Sequence, residues 1–274
     1  MNLPEDQAVQ KKVLIIGVDG CRPDALIAAN TPNLDALAQD GAVSYEAQTC
    51  EIPLSGPGWS SMLTGVWPSK HGVTENSFAG ARFDLYPHFF RRLKEAGNET
   101  FTASIVNWEP IHSNIVTEAD HSAVYPTDAE VAQAASQFVT QHDPDVLFLH
   151  FDEVDQTGHF YGFDPSVPVY LDAIRLVDCR IGVVLNALRE RESYGQEDWL
   201  ILVSTDHGGS GRDHEEDVAE HRTIFLIVSG TATVPGQIET PPAVVDIPPT
   251  VFTHLGLRIE EAWDWDGQPV DYQF

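Results

Sequence analysis

Hydrophobic and polar positions alternate along the chain in blocks. Residues 13–18 form a continuous apolar run, Val-Leu-Ile-Ile-Gly-Val, which ends in Asp19-Gly20. An unbroken run rich in β-branched residues predicts a strand buried on both faces of a parallel sheet. Similar runs at 101–106, 146–151, 199–204 and 224–229 predict four more strands. Between them, 33–39, 89–96, 128–140 and 169–191 read as helices. The last has Ile174, Val177, Ile181, Val184 and Leu185 at near-helical spacing. Strands alternating with helices predict an α/β fold with a mostly parallel central sheet flanked by helices. The Pro/Gly-rich stretches at 53–68 and 229–249 are each flanked by patterned sequence, so a single domain over 1–274 is expected, with no large cap insertion.

Composition narrows the function. The 274 residues carry 42 Asp+Glu against 15 Lys+Arg, a formal charge of −27. That argues against a nucleic-acid-binding surface, which needs Lys and Arg to neutralise phosphates, and equally against an anionic membrane partner. Metal cations, a saline medium or plain solubility remain as reasons for the acidity. Cys21, Cys50 and Cys179 form neither a disulfide framework nor a zinc pattern. The N-terminus lacks a basic and then apolar leader, so the chain reads as cytoplasmic if complete, and as periplasmic or secreted if a signal was removed.

In a parallel sheet the ligand site lies beyond the carboxyl ends of the strands. Asp19 follows the first run, Asp152 through Asp155 to His159 follow the run at 146–151, and Asp206-His207 leads on to His214 after the run at 199–204. Carboxylates and neutral imidazoles gathered on one sheet edge suit Zn²⁺ or a similar divalent ion. Two such ions can clamp the attacking and leaving oxygens of a displacement at phosphorus. Each piece alone has a plainer reading: Asp-Gly as a turn, Asp155 and His159 as a surface helical pair, Asp206-His207 as a capped turn. The stretch 55–65, Ser-Gly-Pro-Gly-Trp-Ser-Ser-Met-Leu-Thr-Gly, reads as a turn feeding a short helix, whose N-terminus favours an anion beside a serine. A plain N-cap serine is the alternative.

These pieces resemble the alkaline phosphatase superfamily, most closely its type I phosphodiesterase/nucleotide pyrophosphatase branch. The likeness rests on Val18-Asp-Gly-Cys-Arg-Pro-Asp24, Thr31-Pro-Asn-Leu-Asp-Ala-Leu37, Ser55-x-Pro57 through Lys70-His-Gly72, Asp155-x-x-Gly-His159 and Asp206-His-Gly-Gly-x-Gly-x-x-His214. Asp246-Ile-Pro-Pro-Thr250 and Asp266-Gly267 extend it, so the matches run in order from about 12 to 270. The resemblance implies two divalent ions, zinc first and Mn²⁺, Fe or Mg²⁺ as alternatives. One would be held by Asp19, Ser55, Asp206 and His207, the other by Asp155, His159 and His214, with His221 as runner-up to His214. It further implies hydrolysis of a small phosphate ester through a phosphoserine at Ser55, with inversion at each step. Phosphodiester or pyrophosphate bonds lead, phosphomonoesters follow and sulfate esters come third.

The pattern departs from that branch in two places. The nucleophile position is serine instead of threonine, and the next asparagine is Asn76. The phosphate donor is therefore sought among the Gly56 N–H, Asn76 and Asn107, with Arg22 or Arg212 as clamps. Trp59 stands where a sulfatase would have the arginine of its oxidation signal, and is expected to pack at the helix start or line the substrate pocket. No G-x-x-x-x-G-K-[ST] or G-x-S-x-G occurs, which excludes a P-loop hydrolase and a nucleophile elbow. A non-catalytic metal-binding module is the different-class alternative. Cys21, His71 and His254 read as structural. Trp108, Phe160, Tyr161, Trp263 and Trp265 are core residues by default, or a stacking platform.

Overall fold

A computed structural model describes residues 9–272 except Asn98. The chain opens with β1 (Gln10–Val18), followed by α1 (Pro23–Ala28), α2 (Pro32–Gln39) and β2 (Ala42–Gln48). Next come α3 (Ser55–Thr64), α4 (Pro68–His71), α5 (Phe89–Glu95), β3 (Thr102–Val106) and β4 (His121–Val124). The middle third holds α6 (Asp128–Gln141), β5 (Val146–Phe151), α7 (Glu153–Tyr161) and α8 (Pro168–Arg189). Then follow β6 (Glu197–Ser204), α9 (Ala219–Arg222), β7 (Thr223–Gly230), β8 (Gly236–Gln237) and α10 (Ile247–Leu255).

The strands form one eight-stranded sheet in the order β4-β3-β5-β1-β6-β7-β2-β8. β1 lies at its centre, parallel to β5 and β6, and β5 continues in parallel to β3 and β4. Only β7 runs against its neighbours, β6 and β2. Successive β1 side chains turn to opposite faces, so Leu14, Ile16 and Val18 join a core with α8 residues such as Ile174, Ile181 and Leu185. Val13 and Ile15 join a second core with Trp59, Met62, Leu63, Phe89, Phe90 and Phe252. Helices thus cover both faces, which is why the strand sequences read as continuous apolar runs.

The five expected strands and four expected helices are present, with ends within three residues of the sequence reading. β2, β4 and β8 were not predicted. β2 is interrupted by a register shift between Ser44 and Ala47, β4 is a four-residue edge strand with alternating exposure, and β8 has two residues. Among the described residues no helix is long and apolar enough to cross a membrane.

Candidate active site

Three neighbouring strands, β5, β1 and β6, deliver their carboxyl ends to one edge. β1 ends in the buried Asp19, and Gly20 turns the chain with φ +63°. A Cβ on Gly20 would lie 2.5 Å from Asp155 Oδ1, so this turn needs glycine both for its dihedral and for the approach of α7. β5 runs into α7, where Asp155 and His159 sit one turn apart on the same face. Asp155 is 8% exposed, whereas the His159 side chain is 43% exposed. β6 ends just before Asp206 and His207, both wholly buried, and the following loop returns His214 to them. The His214 ring stacks on that of His207 at 3.7 Å between centroids.

The seven residues singled out from the sequence converge as two overlapping sets. His207 Nε2 lies 3.3 Å from Asp19 Oδ1, 3.4 Å from Asp206 Oδ2 and 3.5 Å from Ser55 Oγ. Around Asp155, His159 Nε2 lies 3.4 Å from Oδ2 and His214 Nε2 lies 3.8 Å from Oδ1. The Nε2 atoms of His159 and His214 approach to 3.1 Å. His221 is elsewhere: its Nε2 meets Ser210 Oγ at 2.8 Å and its Nδ1 accepts the Glu216 N–H.

The hydrogen bonds fix what each ring offers. His207, His159 and His214 each have Nδ1 on a backbone carbonyl, that of Gly208 at 2.8 Å, Arg212 at 3.0 Å and Pro53 at 2.7 Å. A carbonyl only accepts, so Nδ1 carries a proton, and once the ring is neutral, as a metal-bound imidazole must be, each Nε2 presents its lone pair to the centre. Opposite them, Asp19 Oδ1, Asp155 Oδ1 and Asp206 Oδ2 are buried and accept no hydrogen bond. Crowding of these carboxylates shows in their acidities. Burial, then the charge of Asp19, pushes Asp206 well above the usual carboxylate range and also raises Asp155. Burial lowers His207, but the Asp206 and Asp19 carboxylates outweigh it and lift the imidazole to about 10. His159 rises to about 9 through its contact with Asp155. Such a cluster calls for positive charge.

Ser55 is the first residue of α3 and is 8% exposed. Pro57 falls in the first turn, where a missing N–H costs nothing. The Gly58 N–H closes that turn on the Leu54 carbonyl. All ten residues of α3 are buried, so its N-terminal dipole acts in a medium of low dielectric beneath the serine.

The expected substrate contacts need correction. The Gly56 N–H is already donated to Asn76 Oδ1 at 2.7 Å, so it is not free for phosphate. The same bond places the Asn76 amide beside Ser55. Trp59 is wholly buried and cannot line a pocket; its Nε1 donates to Asp19 Oδ2 at 2.8 Å. Asn107 Nδ2 donates to the buried Asp128, 3.0 Å away. Arg22 is no phosphate clamp, because it donates to the Phe163 and Gly209 carbonyls and pairs with Asp24. Phe160 and Tyr161 are 72% and 58% exposed, not core. Trp263 and Trp265 pack around Phe252, and half-buried Trp108 lies against Phe78. The sequence reading passed over His150, wholly buried at the end of β5, because one imidazole inside Val-Leu-Phe-Leu-His-Phe looks like core.

Comparison with known proteins places the chain in a family and a fold. The family model described as type I phosphodiesterase / nucleotide pyrophosphatase matches residues 13–226. Ectonucleotide pyrophosphatase/phosphodiesterase family member 7 from Homo sapiens is 22% identical over 228 residues, covering 74% of this chain and 49% of that protein. The chain spans about half the length of curated relatives it matches. The structure of murine ectonucleotide pyrophosphatase/phosphodiesterase 5 superposes with a TM-score of 0.75 at 15% identity, over 95% of this chain and 97% of that one. A 2-O GAG sulfatase gives the same TM-score, 0.75, at 14% identity over 94% of this chain and 73% of its own. At such identities these likenesses establish the fold alone.

Proposed function

Because the chain belongs to the type I phosphodiesterase/nucleotide pyrophosphatase family, we propose that it hydrolyses phosphodiester or pyrophosphate bonds with two divalent ions and a phosphoserine intermediate at Ser55. The observation that carries this reading is the convergence before Ser55 of three imidazole Nε2 lone pairs and three buried carboxylate oxygens without hydrogen-bond partners. A donor set of carboxylate and imidazole fits zinc, and buried polar atoms in a purely structural network are as a rule hydrogen-bonded. Asp19, Ser55, Asp206 and His207 would hold one ion, and Asp155, His159 and His214 the other. When bound, the ions would supply Lewis-acid charge at the attacking and leaving oxygens.

The protein's own groups account for the rest. α3 holds Ser55 Oγ at its first residue, 3.5 Å from His207 Nε2. Ser55 gives up its hydroxyl proton to solvent and its oxygen displaces the leaving group from phosphorus, forming the Ser–O–P bond as the opposite P–O bond breaks; the leaving oxygen takes up a proton from solvent in turn. Water then attacks from the vacated side and releases Ser55, so each displacement inverts. Asn76 Oδ1 is held by the Gly56 N–H, which leaves its Nδ2 to donate to a phosphoryl oxygen. The small-molecule substrate is a phosphate ester; the murine relative has been solved as an inactive variant in complex with AMP.

The test is a panel of aryl phosphate diester, phosphate monoester and sulfate ester with the zinc-loaded protein. The diester should turn over fastest, and a dominant sulfate-ester rate would overturn the assignment. Ser55→Ala should lower diester turnover about 10³-fold or more while the bound-ion count stays at two. Labelled diester quenched in acid should leave label on Ser55 of the wild type and none on the variant.

A further inference from the structure

Resting on the two-ion reading above, we propose that His150 and Trp59 are positioning residues that fix which oxygen of Asp19 faces the ion. Four imidazoles surround the cluster, and His150 is wired in the opposite sense to the other three. Its Nδ1 accepts the Trp108 N–H at 3.4 Å, so its proton sits on Nε2, which donates to Asp19 Oδ2 at 3.1 Å. The Trp59 indole, a donor only, gives the same Oδ2 a second hydrogen bond at 2.8 Å. Oδ2 is thereby saturated. Oδ1, buried and without a hydrogen bond, is the oxygen left to coordinate.

The backbone is shaped for this pair. His150 is registered opposite Gly17 across the β1–β5 ladder, two residues before Asp19. A Cβ on Gly17 would lie 2.3 Å from Trp59 Cη2, so the bare glycine makes the space through which the indole reaches the carboxylate. The Trp59 and His150 rings pack edge to face, 4.8 Å between centroids. Three elements, β1, β5 and α3, thus meet on one carboxylate oxygen. Groups that hold a ligand in place commonly matter to affinity nearly as much as the ligand itself.

A competing use of the same residues is a third cation cradle, since ligand atoms of Asp19, His150 and Asp152 lie within 4.8 Å of one another. A protonated Nε2 has no lone pair to give, and Trp59 already occupies the shared oxygen. The two uses separate by experiment. Chelator-stripped protein is titrated with Zn²⁺, and the bound ions are counted after dialysis. Wild type should bind two, and His150→Leu should weaken one of them about 10–100-fold, with far-ultraviolet circular dichroism unchanged. His150→Gln, whose amide N–H can restore the donor, should recover most of the loss. Trp59→Phe should weaken the same ion, and it decides the matter if His150→Leu does not fold. Unchanged Zn²⁺ affinity in both donor-deleted variants would overturn the positioning role while leaving the two-ion reading intact. Three ions on wild type and two on His150→Leu would make His150 a ligand and also overturn it. No Zn²⁺ binding by wild type would instead remove the two-ion reading itself.

Discussion

At the scale of single residues, the partner of an imidazole's second nitrogen separates ligand candidates from supports. Asp19, Asp155, His159, Asp206, His207 and His214 were legible in the sequence because each follows an apolar run, where a parallel sheet opens. The supports were not legible, because His150 lies inside such a run and Trp59 inside a buried helix, and only tertiary structure brings both to Asp19. The phosphate donor was legible only as a choice among Gly56, Asn76 and Asn107, and hydrogen bonding narrows it. Gly56 and Asn107 are engaged, while the Asn76 amide is anchored by its oxygen next to Ser55. Asn76→Ala should therefore lower kcat for an aryl diester about 10²-fold, the order expected for one donor to a developing charge. Zn²⁺ stoichiometry should remain that of wild type. An unchanged kcat would show that Nδ2 does not contact the transition state.

At the scale of elements, the strands that carry the candidate site were the readable ones. β1, β5 and β6 are covered on both faces and are continuously apolar, whereas β2, β4 and β8 are short, bulged or at the edge. The antiparallel course of β7 left no mark on its sequence, since burial on both faces gives the same apolar run in either direction. The three readable strands also bring three carboxylates together, and that juxtaposition has a stability consequence in metal-stripped protein. Folding raises Asp206 and Asp155 above their unfolded values, by burial first, and raises His207 to about 10 through its carboxylate neighbours, against burial. A group raised on folding binds protons more tightly in the folded state. Its contribution is complete below the unfolded value and is lost as pH rises through the folded one. All three act in the same direction, and His207, raised to about 10, carries the loss above neutrality. His214, pushed down to about 3 mainly by burial, opposes them only below its unfolded value of 6.5. Melting of chelator-treated protein should thus fall between pH 7 and 9.5 more steeply than melting of the Zn²⁺-loaded form. At pH 7 loading should add about 2.7 kcal/mol per ion held at 100 times its Kd. Equal melting curves with and without chelator would count against ion binding at these strand ends.

At the scale of the whole molecule, the formal charge of −27 is not explained by the site. Two divalent ions would offset only four of those charges, and most of the excess lies in solvated carboxylates. The sequence carries 23 Asp and 4 Lys against 11 Arg, a composition expected of a saline setting. Two cations are spent inside the fold: Arg22, near the site in sequence, on carbonyls and Asp24, and Lys12, wholly buried at the other end of β1, on Asp143 and Asp145. An anionic diester would therefore approach against a net negative field, with attraction confined to the cleft once two ions were bound. That field extends over a Debye length of about 30 Å at 0.01 M salt and about 8 Å at 0.15 M. Encounter is governed by the long-range part and chemistry by the short-range part. The ratio kcat/KM for an anionic diester should accordingly rise several-fold between these salt concentrations, while kcat changes little. A neutral phosphotriester inhibitor, feeling no such repulsion, should bind equally well at both. A flat or falling kcat/KM would mean that the cleft potential already prevails over the surface field at low salt.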